Sequence, residues 1–210
     1  MLISDSHRFI FVDTRKVAGS SIRDTLEPFS LQKPNTIISK FKSRVFHVER
    51  DYHKFAFRQH SDIMALKNIM PEKLFDAYSK FSFVRNPWKR LVSEYEFIKR
   101  RPKHGRHKKV IKMTFAQYII YQAKRHDAHQ IHMLADKNGE IQMDFIGRFE
   151  NLQEDWNYIC DKIGIANKHL SHRKKAVKGD YNDYYNDKNK KLVAKLLEKD
   201  IDAFGYNYKD

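Results

Sequence analysis

The sequence predicts an α/β fold with a mostly parallel central sheet flanked by helices. Phe9-Ile10-Phe11-Val12 is an unbroken apolar run, and Phe81-Ser82-Phe83-Val84 is a second strand signal of similar length. Such runs are typical of sheets buried on both faces. Each is followed by a turn and a helical pattern, and strands alternating with helices imply a parallel arrangement. With 15 Phe and 11 Tyr in 210 residues, the chain has the means to bury a real core, so disorder is not expected. A chain of this length is expected to form a single domain over residues 1–210.

The elements follow in order. After Phe9–Val12 comes the small-residue turn Ala18-Gly19-Ser20-Ser21, then a helix through Ile22 and Leu26 that ends near Pro28. Val45-Phe46 and Phe55-Ala56-Phe57 read as short strands. Ile63, Leu66 and Ile69/Met70 mark a short helix face stopped by Pro71. Beyond Phe81–Val84, Asn86-Pro87 opens a helix with proline in its first turn, and Trp88, Leu91, Val92, Tyr95 and Ile98 fall at helical spacing. Thr114 is placed to cap a helix with Phe115, Tyr118 and Ile119. Asn138-Gly139, between Ile131–Leu134 and Ile141–Phe145, is a hairpin signal. Asn151 with Glu154 resembles a capping box before Leu152, Trp156, Ile159, Cys160 and Ile163. A last helix runs through Leu192, Val193, Leu196, Leu197 and Ile201.

Ligands of open parallel sheets lie beyond the carboxyl ends of the strands. Those ends deliver Arg15, Lys16, Gly19, Ser20 and Ser21; then Arg58 and His60; then Arg85. Cations, hydroxyls and one titratable base therefore gather at one edge. Thr14 to Ser21 has the outline of a phosphate cradle: small residues admit backbone N–H groups to an anion, and a helix N-terminus adds its positive end. Taken alone, it equally fits an ordinary glycine turn with a surface lysine. It is not a Walker A loop, because Lys16 precedes Gly19 by three residues. Phe81–Val84 ends in Arg85 where a magnesium-binding Asp would be needed.

Together the segments resemble a known family, the PAPS-dependent carbohydrate sulfotransferases (PAPS is 3′-phosphoadenosine 5′-phosphosulfate). Arg15-Lys16-Val17-Ala18-Gly19-Ser20-Ser21 is similar to their 5′-phosphosulfate loop, usually Pro-Lys-x-Gly-Gly-Thr-Ser; here Arg15 replaces Pro and Ala18 replaces one Gly. Phe81 to Tyr95 is similar to their 3′-phosphate segment. The resemblance continues through Phe145 to Leu152 and Asp200 to Tyr206. It implies a P-loop nucleotide-kinase-like sulfotransferase fold and transfer of a sulfuryl group from PAPS to a hydroxyl, on an oligosaccharide, polysaccharide or glycoconjugate.

By the same resemblance Lys16 would contact the bridging oxygen and 5′-phosphate, while Arg15, Ala18, Gly19, Ser20 and Ser21 close the cradle. Arg85 and Ser93 would hold the 3′-phosphate. Their spacing suits this, since a guanidinium grips phosphate bidentately and Ser93 lies about two turns into the next helix. His60 would be the general base, imidazole being able to take a proton near neutral pH. Arg173 and Lys178, in a divergent downstream loop, are further cofactor-binding candidates. No metal is required.

Lys and Arg outnumber Asp and Glu by 41 to 26, a formal charge of +15 that favours anionic partners. An ATP-dependent phosphotransferase and a basic nucleic-acid-binding module are the alternatives. The latter gives no reason for two phosphate motifs at strand ends, and no specific nucleic acid is expected. His126, His129 and His132 lack a carboxylate partner at metal-site spacing. The basic run Arg100 to Lys112 reads either as a solvated loop or as a wall for an anionic sugar chain. The single cysteine, Cys160, excludes an internal disulfide and a cysteine zinc site. No apolar run approaches the roughly 20 residues of a membrane helix. The polar Met1 to His7 leaves no room for a signal peptide, so a soluble, cytoplasmic protein is expected.

Overall fold

A computed structural model describes residues 1–31, 52–54, 57–125, 127–167, 169–170 and 180–210. Among the described residues the sheet has four strands in the order β1 (Leu2–Ser4), β2 (Phe9–Val12), β3 (Ser79–Val84) and β4 (Phe145–Arg148). β1 runs antiparallel to β2, with Leu2 opposite Phe11. The pairs β2–β3 and β3–β4 are parallel, with Phe11 opposite Phe81 and Phe81 opposite Phe145. The sheet is therefore mixed but mostly parallel, as expected.

The helices among the described residues are α1 (Gly19–Leu26), α2 (Ile63–Lys67), α3 (Glu72–Ala77), α4 (Pro87–Lys99), α5 (His107–Val110) and α6 (Phe115–Ala123), followed by α7 (Ile131–Leu134), α8 (Leu152–Ile163), α9 (Asp187–Leu196) and α10 (Glu198–Phe204). None is long and apolar enough to cross a membrane.

Strand alternation sorts the core into two layers. Phe9, Phe11, Phe81 and Phe83 face α1 and α8, packing with Ile22, Leu26, Trp156, Ile159 and Cys160. Ile10, Val12 and Val84 face the other side, against Ile63, Trp88, Leu91, Tyr95, Tyr118 and Val193. Phe9, Phe11 and Phe83 are fully buried, and each such side chain stabilises the fold by roughly 1.5–3 kcal/mol.

Local chemistry explains the helix starts. The Asn86 side chain accepts from Trp88 N–H at 3.0 Å and Lys89 N–H at 3.2 Å, with Pro87 in the first turn. Thr114 and Gln117 form a reciprocal capping box on α6.

Four expectations change. Asn151 makes no capping bond; it belongs to a 3₁₀ turn, Phe149–Asn151, that leads into α8. The last helix is two helices, α9 and α10, broken at Leu197, whose backbone (φ −118°, ψ 25°) leaves the helical region. Asn138-Gly139 does form a turn, with Gly139 at φ 87° and a bridge between Ala135 and Ile141. Its flanks are not hairpin strands, because one side is α7 and the other leads into β4, which pairs parallel to β3. Lastly, Met1 to His7 is not merely polar lead-in: Leu2, Ile3 and Ser4 are buried as β1. Of the two further strand expectations, Val45-Phe46 and Phe55-Ala56 lie outside the described residues; Phe57 is in no regular element.

Candidate active site

The site begins where β2 ends. The Thr14 hydroxyl donates to the Phe83 carbonyl at 2.5 Å, and the Ser82 hydroxyl to the Val12 carbonyl at 2.7 Å. These bonds lock the ends of β2 and β3 side by side. The loop that follows holds Lys16 at φ 69° and Ala18 at φ 62°, both left-handed. For residues with a side chain each such conformation costs about 1–3 kcal/mol, strain that is concentrated at ligand-binding turns. The Ala18 carbonyl accepts from Ser21 N–H at 2.8 Å, which fixes the turn into α1. Left-handed residues in such a turn aim backbone N–H groups into an anion-binding concavity. Gly19 leaves room for a carboxylate: a Cβ there would lie 1.9 Å from Asp13 Oδ1, so a larger residue would have to displace that side chain. Ser20 is half-buried and Ser21 buried in the first turn of α1.

Asp13 thus lies under the loop. Its carboxylate accepts from the Gln59 side chain at 2.8 Å, and burial raises its pKa against the opposing effects of Gln59 and His60. His60 Nδ1 is 2.7 Å from the Asp13 carbonyl. A carbonyl only accepts, so Nδ1 carries the proton, and in the neutral ring Nε2 presents its lone pair. The Arg58-Gln59 segment is tied to β1, since Met1 N donates to the Arg58 and Gln59 carbonyls at 3.1 and 2.7 Å. His60 therefore shares one rigid unit with the phosphate-type loop.

Beside His60 opens a cavity of about 450 Å³ lined by Arg15, Arg58, Gln59, His60, Arg125 and Asp127. Arg15 Nε lies 2.7 Å from Asp127 Oδ2, and Arg125 Nε 2.9 Å from Oδ1. Burial works against the Asp127 carboxylate, but the Arg125 bond and the two guanidinium charges outweigh it and lower its pKa. Arg15, expected in the cradle, is thus committed to Asp127 on this side.

Arg85 reaches the loop from β3. Its Nη1 donates to the Lys16 carbonyl at 3.2 Å, and its guanidinium lies 4.0 Å from the centre of the Phe149 ring. Its Nε is buried with no hydrogen-bond partner among the described residues. Burial pulls the Arg85 pKa down to about 10, with Glu150 acting in the opposite direction. A buried guanidinium without full compensation is what an incoming anion would relieve. On α4, Ser93 is half-buried one turn before Phe97. Lys16 Nζ lies 4.0 Å from the Phe97 ring centre. Lys16 and Arg85 therefore adjoin, and Lys16 also meets α4 at Phe97.

The fold thus gathers Lys16, Ala18, Gly19, Ser20, Ser21, Arg85 and His60 at one sheet edge, with Ser93 on α4, the helix that follows Arg85. Arg173 and Lys178 lie outside the described residues, as does His126. The His129 and His132 rings lie 4.8 Å apart, tilted by 49°, and no group of His, Cys, Asp and Glu among the described residues is placed to hold a metal ion. The basic run is partly absorbed into packing: Arg106 pairs with Glu94 at 2.6 Å and Gln122 at 2.8 Å, and Arg101 lies 4.1 Å from the Phe97 ring centre. Sequence reasoning missed Asp13 and Gln59, which hold the loop and His60, and Gln130, which holds Arg85. An acidic residue directly after a strand in so basic a chain was the one signal available for Asp13.

The sequence profile described as "Sulfotransferase family" matches residues 1–207. Carbohydrate sulfotransferase 14 of Danio rerio is 28% identical over 243 aligned positions, covering 98% of this chain and 62% of that protein. The chain thus spans less than two thirds of that relative. An uncharacterized protein of Archaeoglobus fulgidus is 34% identical over 104 residues, 48% of this chain and 79% of that protein. Among solved structures, mouse sulfotransferase SULT7A1 complexed with PAP superposes with a TM-score of 0.56 at 13% identity, over 95% of this chain and 86% of that one. That likeness establishes the fold.

Proposed function

Because the chain belongs to the sulfotransferase family, we propose that it transfers a sulfuryl group from PAPS to a hydroxyl of a carbohydrate. One observation carries the donor: the Arg85 guanidinium, with its buried, unpartnered Nε, meets the Lys16 loop at 3.2 Å, so that anion-binding devices from two strand ends adjoin. An ATP-type site needs one such device for a triphosphate; a nucleotide with separated 3′- and 5′-phosphates needs two. The left-handed loop at Lys16 and Ala18 and the uncompensated guanidinium both fit such a ligand. The carbohydrate acceptor is supported by the relative from Danio rerio, whose match spans 98% of this chain.

In this reading the donor supplies a sulfuryl group on a phosphate leaving group. The bond from sulfur to the acceptor oxygen forms as the bond from sulfur to the bridging oxygen breaks. His60 Nε2 takes the proton from the acceptor hydroxyl as that oxygen attacks. Its Nδ1–H stays on the Asp13 carbonyl, which keeps the ring oriented and the reactive lone pair on Nε2. Lys16, Ser20, Ser21 and the N–H groups at the start of α1 receive the charge that develops on the leaving phosphate. Arg85 and Ser93 hold the 3′-phosphate. The acceptor approaches through the cavity beside His60, lined by Arg15, Arg58 and Arg125.

The donor assignment is tested by Arg85→Ala. Loss of a charge-assisted bidentate contact weakens adenosine 3′,5′-bisphosphate by about tenfold or more, about 1.4 kcal/mol, in isothermal titration. An unchanged affinity would remove Arg85 from the donor site.

A further inference from the structure

Arg85 owes little of its direction to its own side-chain contacts. Among the described residues the guanidinium has one 3.2 Å bond to the Lys16 carbonyl, a ring beneath it and an unpartnered Nε. Its aim is therefore inherited from its backbone, and that backbone is held in an unusual way. The β3–β4 ladder ends at Val84 opposite Arg148. Immediately beyond, the Gln130 side chain replaces the neighbouring strand: Nε2 donates to the Arg85 carbonyl and Oε1 accepts from Arg85 N–H, both at 2.9 Å. One amide satisfies both main-chain groups of one residue, as a paired strand residue would.

Gln130 is itself held from behind. Only 2% of it is exposed. Asp200 Oδ2 accepts from its main-chain N–H at 2.9 Å and from its Nε2 at 3.4 Å, while Oδ1 accepts from Ile131 N–H at 3.0 Å. Asp200 is fully buried, 3.6 Å from the equally buried Arg90 guanidinium, which donates to the Ala128 carbonyl. The next residue along is treated alike. Asn86 N–H donates to Glu150 Oε1 at 3.1 Å, and the Tyr206 hydroxyl donates to Glu150 Oε2 at 3.1 Å. The segment Asp200 to Tyr206, at the far end of the sequence, therefore acts on the Arg85 turn through two intermediaries.

We propose that Gln130, backed by Asp200, is a positioning residue that aims the Arg85 guanidinium at the 3′-phosphate of the nucleotide. The inference rests on the donor-site reading of Arg85. A fully satisfied buried amide has few alternative placements, because each group it releases is left without a partner. The clasp thus holds the Arg85 Cα–Cβ direction before ligand arrives, and bidentate phosphate contacts depend steeply on such preorganisation.

The test uses the full chain and two ligands, adenosine 3′,5′-bisphosphate and adenosine 5′-monophosphate, measured by isothermal titration. Gln130→Met keeps the length of the side chain and removes both amide groups. It is expected to weaken the bisphosphate about tenfold while leaving the monophosphate within about twofold. In an Arg85→Ala background it is expected to have no further effect on the bisphosphate, because the two residues act as one unit. Gln130→Asn, one methylene too short to span both groups, shows the same pattern if Gln130→Met fails to fold. Equal weakening of both ligands, additive losses with Arg85→Ala, or no weakening at all would overturn the clasp. If Arg85→Ala itself fails to distinguish the two ligands, the donor-site reading falls; if it distinguishes them and Gln130→Met does not, the clasp alone falls.

Discussion

His60→Ala lowers kcat for sulfuryl transfer by roughly 10²–10⁴-fold, the range typical of a lost general base. The acceptor hydroxyl must shed its proton as it attacks, and among the described residues His60 supplies the one imidazole lining the cavity. Its Nδ1 is already spent on the Asp13 carbonyl at 2.7 Å, so the proton goes to Nε2. Affinity for adenosine 3′,5′-bisphosphate stays within about twofold, because the imidazole touches the loop through a carbonyl of Asp13 and not through the cradle itself. The check is steady-state kinetics with the best acceptor from a glycan panel, beside titration of the bisphosphate. Retained turnover would remove His60 from the chemistry.

Lys16→Met lowers kcat by roughly 10²–10³-fold, as removal of a single donor aimed at developing charge does elsewhere. Lys16 is held at φ 69° and its ammonium lies 4.0 Å from the Phe97 ring centre. A cation over an aromatic ring at a partly open site is stabilised by about 0.5–1 kcal/mol, little enough for a phosphate to draw it away. The loss falls mainly on kcat, since the charge it meets grows as the bond to the leaving phosphate breaks. Single-turnover kinetics separate this from binding. A variant with unchanged kcat and a raised KM would make Lys16 a binding residue only.

How much of this was legible in sequence depended on the distance over which each role is decided. The loop Arg15 to Ser21 and the segment Phe81 to Tyr95 could be read because strand, turn and helix start are contiguous, and their small, cationic and hydroxyl residues carry their meaning locally. The substitution of Ala18 for a glycine was visible; that it takes up a left-handed φ of 62° was not. Arg15 looked like a loop cation, yet its partner Asp127 lies on a distant turn. Gln130 could not be found at all. It sits among histidines, and its role is set by Arg85, 45 residues before it, and Asp200, 70 residues after it. β1 was hidden because three buried residues between a start and the polar Asp5-Ser6-His7 show no periodicity. The turn at Asn138-Gly139 was read correctly as a turn and wrongly as a hairpin. Its local chemistry is real, with Asp136 accepting from Asn138 and Glu140 N–H at 2.8 and 3.0 Å, but β4 finds its partner in β3.

A site built for an adenosine carrying separate 3′- and 5′-phosphates must distinguish competing nucleotides in thermal unfolding. Adenosine 3′,5′-bisphosphate at about one hundred times its Kd stabilises the folded chain by about 2.7 kcal/mol, which for a chain of this length raises Tm by about 5–10 °C. ATP with magnesium at the same concentration is expected to give a much smaller rise. A Tm unmoved by the bisphosphate, or moved as far by ATP with magnesium, would rule out a site for two separate phosphates.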